Sequence, residues 1–298
     1  MIKALVIGLG NIGAQYDYNS DEVLTHVKAI SLRNDIDLSV FDVNLELTNN
    51  IVNKYKCSSF IKYTAIDFSL FDLVSICVPT TLHSQILKDC LKANVPVILC
   101  EKPIAQAIPE LDELKLYYEK SKSKVLVNYF RRFHPNYKSL RDLIKKENNK
   151  NLKIVVRYCK GWMNNASHAL DIIQYLLNTE LELNNVTEYN RFLDFLPLDP
   201  SISLEIRGRV NINCEAKKSL NPLWEVEFYF ENLIIKLVCG GQIIELYKEG
   251  KLVCAKKNQL RNYMVDVLIE ALNLKTKKNK ADNFIESLEL NKKMLLVI

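Results

Sequence analysis

IKALVIGLGNIG, Ile2 to Gly13, is the stretch from which the rest of the chain is read. Apart from Lys3 the segment up to Gly8 is apolar, as a strand covered on both faces must be. Glycines then stand at positions 8, 10 and 13, followed by a helix-compatible stretch. In that order the pattern is the dinucleotide fingerprint. Gly8 permits the tight turn, Gly10 lets the backbone approach a pyrophosphate, and Gly13 allows helix to pack closely on strand. Asn11 and Ile12 belong to the same cofactor-binding stretch. A glycine-rich turn without function is the competing reading, and the strand in front of it weighs against that reading.

Further apolar runs follow at the spacing of βα units: LSVFD (Leu38 to Asp42), DLVSICV (Asp72 to Val78) and VPVILC (Val95 to Cys100). Between the last two lies HSQILKDCLKAN, apolar at helical spacing, with a stop signal at Asn94. KVLVNYF (Lys124 to Phe130) is either a further strand of this sheet or the bridge out of it. The expected fold is α/β: an N-terminal Rossmann domain with a doubly wound parallel sheet over residues 1–124, then a C-terminal α+β domain over 125–298. In that second part LKIVVRY reads as a strand and HALDIIQYLLN as a helix, and from about Ser203 strands alternate with hairpin signals. CGGQ (Cys239 to Gln242) and KEGK (Lys248 to Lys251) put glycine where a turn needs positive φ. These strands are expected to form a large open, mainly antiparallel sheet. The closing helices, RNYMVDVLIEAL and NFIESLELNKKMLLVI, are expected to pack back on the Rossmann domain.

Bulk properties narrow the class. The 298 residues are 48% hydrophobic and 25% charged, with a net charge of +5 and a short lysine cluster from Lys275 to Lys280. So dilute a charge does not make a nucleic-acid footprint. No apolar run approaches the ~20 residues that span a bilayer, and Met1 leads into the first strand without a signal-peptide layout. A cytoplasmic protein is expected. Of the eight cysteines, no two have CxxC spacing, and several sit in apolar runs. They read as reduced and structural, and no metal site is expected.

Asp42 closes the second strand, where a carboxylate can accept hydrogen bonds from both adenosine ribose hydroxyls and would repel a 2′-phosphate. This favours NAD over NADP; a plain strand-end cap is the alternative. VPTTLH (Val78 to His83) and CEKPIA (Cys100 to Ala105) fall at the carboxyl ends of strands, the edge where such sheets bind ligands. Pro79, Thr80, His83, Glu101 and Lys102 are therefore cofactor-binding candidates. Burial would lower the pKa of Lys102 and suit it as a proton donor, or as a hydrogen-bond donor to a hydroxyl whose carbon loses hydride. Pro103 admits a cis Lys102–Pro103 bond. An ordinary ion pair with Glu101 is the rival reading.

GLGNIG, VPTTLH, CEKPIA, NYFRRFHP (Asn128 to Pro135) and SHALDIIQYLLN (Ser167 to Asn178), in that order, resemble the Gfo/Idh/MocA oxidoreductases, named for glucose-fructose oxidoreductase and inositol dehydrogenase. The resemblance is weak from Leu181 to Pro222. It implies a Rossmann domain holding NAD(P) and an open-faced sheet that forms the substrate domain and often the oligomer interface. Substrates would be sugars, inositols or nucleotide-linked sugars. Lys102 is catalytic by this resemblance, and His168 stands at the histidine of the family's DxxxH pattern. The acidic member of that pattern is Asn164 here, which can orient a hydroxyl but not take its proton. Asp171, one helical turn beyond His168, could orient or charge-stabilise it, or anchor the helix. Arg131, Arg132 and His134 fall where cofactor or substrate contacts are implied, with at most one arginine facing the site. Asn128, Tyr16 and Trp162 complete the substrate-side candidates, with Asp17 and Met163 beside them; the stretch around Tyr16 is equally readable as a surface loop.

The expected function is NAD(P)-dependent hydride transfer at a hydroxyl or ketone of a sugar, inositol or nucleotide-linked sugar, by a homodimer or homotetramer. A non-catalytic, NAD-binding regulatory or partner-binding protein is the alternative, kept open by Asn164. An enzyme of this fold acting on an imine or linear tetrapyrrole is a third.

Overall fold

The computed structural model describes residues 1–147, 151–193, 199–276 and 281–298. Of the lysine cluster, residues 277–280 lie outside the described residues. The chain forms two compact units, Met1–Phe130 with Arg261–Leu288, and Arg131–Leu260 with Glu289–Ile298. No described helix is long and apolar enough to cross a membrane.

The first unit holds β1 (Ile2–Ile7), α1 (His26–Ser31), β2 (Ile36–Phe41), α2 (Leu45–Tyr55), β3 (Ser58–Ser59), β4 (Leu73–Ile76), α3 (His83–Lys92), β5 (Val97–Cys100), α4 (Ile108–Lys120) and β6 (Lys124–Val127). Its strands form one parallel sheet in the order β3-β2-β1-β4-β5-β6. All four residues of β4 and of β5 are buried, the reason these runs are apolar without alternation. KVLV is thus the sixth strand of this sheet. The strand order reverses between β1 and β4, so the segments after those strands meet at the topological switch point, where such sheets bind ligands. α3 stops as expected, with Asn94 at φ 54°.

In the stretch VLTHVKAI (Val23 to Ile30) the helix α1 begins at His26, with Thr25 as its N-cap accepting from the Lys28 N–H. The segment before it is held by Asp17, fully buried, whose carboxylate accepts from the N–H groups of Leu24 (2.6 Å) and Thr25 (2.8 Å) and from the Thr25 hydroxyl (2.7 Å). Asp17 is a structural hook, and the loop around Tyr16 is anchored rather than loose.

The second unit holds α5 (Pro135–Ile144), β7 (Lys153–Tyr158), α6 (Ser167–Leu177), β8 (Val186–Phe192), β9 (Ser201–Ile206), β10 (Asn211–Ala216), β11 (Trp224–Tyr229), β12 (Ile234–Val238), β13 (Ile243–Lys248) and β14 (Lys251–Lys257). Its sheet runs β14-β13-β12-β11-β7-β10-β9-β8 and is antiparallel except where β7 and β10 pair in parallel. Burial alternates along β7 and β10, as it must in a sheet with one apolar face. That face packs Tyr158, Cys214 and Phe228 against Tyr137 and Leu140 of α5 and Leu170 and Ile173 of α6. On the other face Arg157 stands between Glu215 (3.4 Å), Glu225 (4.0 Å) and Glu227 (3.2 Å), and Lys236 reaches Glu227 at 3.1 Å. Glu249 (φ 47°) and Gly250 (φ 74°) make the expected tight hairpin between β13 and β14.

Two helices close the chain, α7 (Tyr263–Thr276) and α8 (Phe284–Leu295). In the first unit α7 lies against α1, β5 and β6. The residues before α8 finish the edge of the parallel sheet. Asn283 accepts from the Val127 N–H (2.8 Å) and donates to the Val127 carbonyl (3.0 Å), while Asp282 accepts from the Val125 N–H (2.9 Å). Two side chains thus do for β6 what a seventh strand would do. All eight cysteines are free.

Candidate active site

The glycine loop after β1 is fixed by sterics. Gly8 has φ +91°, and a Cβ there would lie 2.7 Å from the Cys77 carbonyl group and the Val78 nitrogen. A Cβ on Gly13 would lie 2.0 Å from the Gly8 carbonyl oxygen. Gly10 is different: a Cβ there meets nothing within 4 Å. Internal packing therefore demands glycine at 8 and 13, while at 10 only something outside the loop can demand it. The loop runs into a single wide turn, Asn11–Gln15, in which the Ala14 and Gln15 N–H groups return to the Gly10 carbonyl. The first N–H groups of such a turn have no carbonyl of their own turn to bond. Asp42 lies at the end of β2 beside this loop, its Oδ2 accepting from the Leu9 N–H (2.7 Å) and its Oδ1 from the Asn44 N–H (2.8 Å). Each carboxylate oxygen keeps a second lone pair.

Three loops are tied together here. Gly8 sits against Cys77 and Val78, and His83 joins Val78 to the lysine loop. Its ring is buried, with Nε2 at 2.8 Å from the Val78 carbonyl and Nδ1 at 2.8 Å from the Pro103 carbonyl. Both ring nitrogens are spent on backbone, so His83 braces the two loops instead of presenting a nitrogen to cofactor. Burial outweighs those two carbonyls and holds its pKa below the usual histidine value. The Lys102–Pro103 bond is cis, and Lys102 is half-buried.

Glu101 also turns inward. It is 8% exposed, and its Oε1 takes His26 Nε2 at 2.8 Å and the Asn128 side-chain N–H at 2.5 Å. Burial pushes its carboxyl pKa up, but the bonds from His26 and Asn128 and the charge of Lys102 outweigh it and leave it below the usual value. Asn128, assigned above to substrate, is 3% exposed and gives its amide to Glu101 and to the Met264 sulfur at 3.5 Å. Both residues belong to the support of the loop. Among all these, sequence reasoning missed His26, which lies in no motif and meets Glu101 only through the fold.

In the second unit several substrate-side candidates prove to be framework. Arg132 grips Asp171 with both prongs, Nε to Oδ2 at 3.0 Å and Nη2 to Oδ1 at 2.6 Å, in a pair whose side chains are 4% and 2% exposed. Asp171 thus anchors α6, the second of the two roles open to it. Arg131 donates Nε and Nη2 to the Gly240 carbonyl and stacks 3.8 Å above the Trp224 ring. Neither arginine is at the surface, and both serve the interior of this unit. His134 caps α5, its Nδ1 accepting from the Asn136 N–H. Trp162 is fully buried and donates its indole N–H to the Met294 carbonyl at 3.1 Å, so it is core and not a pocket wall.

Asn164 and His168 remain partly exposed at the start of α6. The turn Trp162–Ala166 leads into that helix. Asp199 holds it, accepting from the N–H groups of Met163 (2.8 Å) and Asn164 (2.7 Å), and the Asn164 side chain donates to the Lys160 carbonyl at 3.1 Å. Gly161, at φ +94°, lets the Asp199 carboxylate close in, since a Cβ there would come within 2.1 Å of it. Asp199 carried no signal in the sequence.

Residues 2–129 match the family described as "Oxidoreductase family, NAD-binding Rossmann fold". Over that unit the chain is similar to the Gfo/Idh/MocA oxidoreductases. An inositol 2-dehydrogenase from Corynebacterium glutamicum is 37% identical over 81 residues, 27% of this chain and 24% of the relative. The curated relatives are matched over 24% to 39% of their own length. In fold the chain is similar to the UDP-N-acetylglucosamine 3-dehydrogenase of Acidithiobacillus ferrooxidans, with TM-score 0.81 and 16% identity over 99% of this chain and 96% of that one. It is also similar to a super-repressor mutant of Gal80p from Saccharomyces cerevisiae, with TM-score 0.76 and 14% identity over 99% and 94%.

Proposed function

We propose that the chain is an NAD-dependent dehydrogenase or reductase acting on a hydroxyl or ketone of an inositol, sugar or nucleotide-linked sugar. The observation that carries the reading is Gly10, open on its side-chain side within a loop that glycine sterics and His83 tie to the Lys102 loop. The backbone of Gly10, Asn11, Ile12 and Gly13 would hold the pyrophosphate, and the spare lone pairs of Asp42 the ribose hydroxyls. Asp42 would repel a 2′-phosphate, which is the ground for preferring NAD to NADP. Pro79 and Thr80 are assigned to the cofactor wall.

When bound, the cofactor supplies or accepts the hydride at its nicotinamide. Lys102 donates a hydrogen bond to the substrate oxygen and stabilises the alkoxide charge that develops there as the hydroxyl gives up its proton and the carbon bearing it gives up hydride. His168 takes or returns the hydroxyl proton, since imidazole exchanges protons near neutrality. Asn164 orients the ring, and Tyr16, 60% exposed, is kept as a substrate-side residue. The open face of the eight-stranded sheet is assigned to self-association, as a homodimer or homotetramer.

Calorimetry with NAD and NADP tests the cofactor, and nicotinamide absorbance with myo-inositol and UDP-N-acetylglucosamine tests turnover. No heat with either dinucleotide would remove the cofactor reading. Near-normal turnover in Lys102→Ala would remove the mechanism. Asn164 supports a second reading, a binding protein that keeps the cofactor site. Such a protein binds NAD but exchanges no hydride with any member of a polyol and sugar panel.

A further inference from the structure

We propose that His26 is a positioning residue for Lys102, acting from the start of α1 by gripping the Glu101 carboxylate so that it cannot turn onto the neighbouring ammonium. The inference rests on the reading of Lys102 as the group that meets substrate. His26, Glu101 and Asn128 are 0%, 8% and 3% exposed, and two of them converge on a single oxygen, Oε1 of Glu101. A buried carboxylate lacking such partners takes up a proton or moves to the nearest cation. The cation beside it in sequence is Lys102, whose charge already acts on the carboxylate.

Two further observations bear on how His26 comes to be there. It is the first residue of α1, whose start is set by the Thr25 cap, and Thr25 is in turn held by both oxygens of buried Asp17. The hook in the loop after the glycines thereby fixes the ring that fixes Glu101. Titratable groups surround the carboxylate on several sides: His26 on α1, His83 at the head of α3, Cys77 after β4, Cys100 at the end of β5, and Lys102 itself. Burial first, and then the Glu101 charge, pushes both thiols up, so neither supplies a competing anion. His83 is spent on two carbonyls. Of the two neighbouring cations and potential cations left, His26 is the one already bonded to the carboxylate.

The experiment follows the Lys102 titration by NMR of protein carrying 13C at the lysine ε-carbons, with the signal assigned by its loss in Lys102→Arg. His26→Leu is expected to raise the Lys102 midpoint by about half a pH unit or more, because the released carboxylate favours the charged ammonium. His26→Gln keeps an N–H donor and is expected to fall between that variant and the wild type. Glu101→Gln removes the charge and is expected to lower the midpoint by about half a pH unit or more. Thr48→Val, a buried polar change on α2 in the same unit, is expected to leave it in place. A folded His26→Leu with an unmoved midpoint overturns the proposal, as does a Thr48→Val shift of equal size. Should His26→Leu not fold, an unmoved midpoint in Glu101→Gln overturns it. The titration needs neither cofactor nor substrate. The expected shifts in a protein without turnover would therefore count against the reaction alone, and turnover without the shifts against the role of His26 alone.

Discussion

In the six-stranded sheet β4 and β5 bury every residue, whereas in the eight-stranded sheet β7 and β10 bury every second one. The difference decides where each unit can place polar groups. A sheet covered on both faces leaves only strand ends for chemistry, and in the first unit Asp42, His83, Glu101, Lys102 and Asn128 all lie just beyond strands or at a helix start. A sheet with an open face can carry charge along its length, and the second unit does so with Arg157 opposite Glu215 and Glu225 and with Lys236 opposite Glu227. Polar groups in the first unit are few and converge; in the second they are many and spread. Loss of one should therefore be local and severe in the interior of either unit, and mild on the open face.

The largest effect is expected from Asp171→Ala. It strands the buried Arg132 charge, and breaking such a pair costs about 3–5 kcal/mol, readable by urea unfolding. Next comes Gly13→Ala, whose new methyl collides with backbone at 2.0 Å; overpacking of this kind costs about 1–3 kcal/mol. A smaller loss, about 0.5–1 kcal/mol and weaker at high salt, is expected from Arg157→Met on the open face. If Arg157→Met matches Asp171→Ala, the contrast between interior and open face fails. Glu227 adds a pH signature. Burial pushes its carboxyl pKa up, but Tyr229, Lys236 and Arg157 outweigh it and leave the pKa below the usual value. Its contribution is then present above the unfolded carboxyl value of about 4.3 and lost as pH falls through the lower folded value. Glu227→Gln should flatten stability over that acid range. The smallest effect on stability, within about 0.5 kcal/mol, is expected from Gly10→Ala, which fills open space. The same change should weaken NAD binding about tenfold or more by calorimetry. Unchanged affinity would detach Gly10 from the cofactor.

What could be read in advance follows the range of the interactions involved. The apolar runs of the parallel strands, the positive φ of Gly8, the close approach of Gly13 to Gly8, the stop at Asn94 and the turn at Gly250 depend on residues close in sequence, and periodicity or backbone freedom makes them visible. Asp171 was given two roles because its three-residue spacing from His168 is visible, while Arg132, 39 residues away, is not. Asn128 lies in a recognisable motif, yet its partner Glu101 meets it only across β5 and β6. His26 is 75 residues from Glu101, and nothing local distinguishes it from an ordinary helix residue. The parallel pairing of β7 and β10 was likewise hidden, since the alternation that marks an open sheet is the same for either direction.

The finished edge of the parallel sheet has a consequence for the order in which the molecule can be assembled. β6 ends at Val127, yet the side chains that occupy its outer backbone groups belong to residues 282 and 283. On a ribosome, the strand and the residue that seals it are made 156 residues apart. During that interval β6 offers an unsealed edge, the kind of surface on which nascent chains associate with one another. Asp282 and Asn283 thus act as a latch delivered long after the strand it closes. Weakening them should show first as lower soluble yield, before any change in the purified protein.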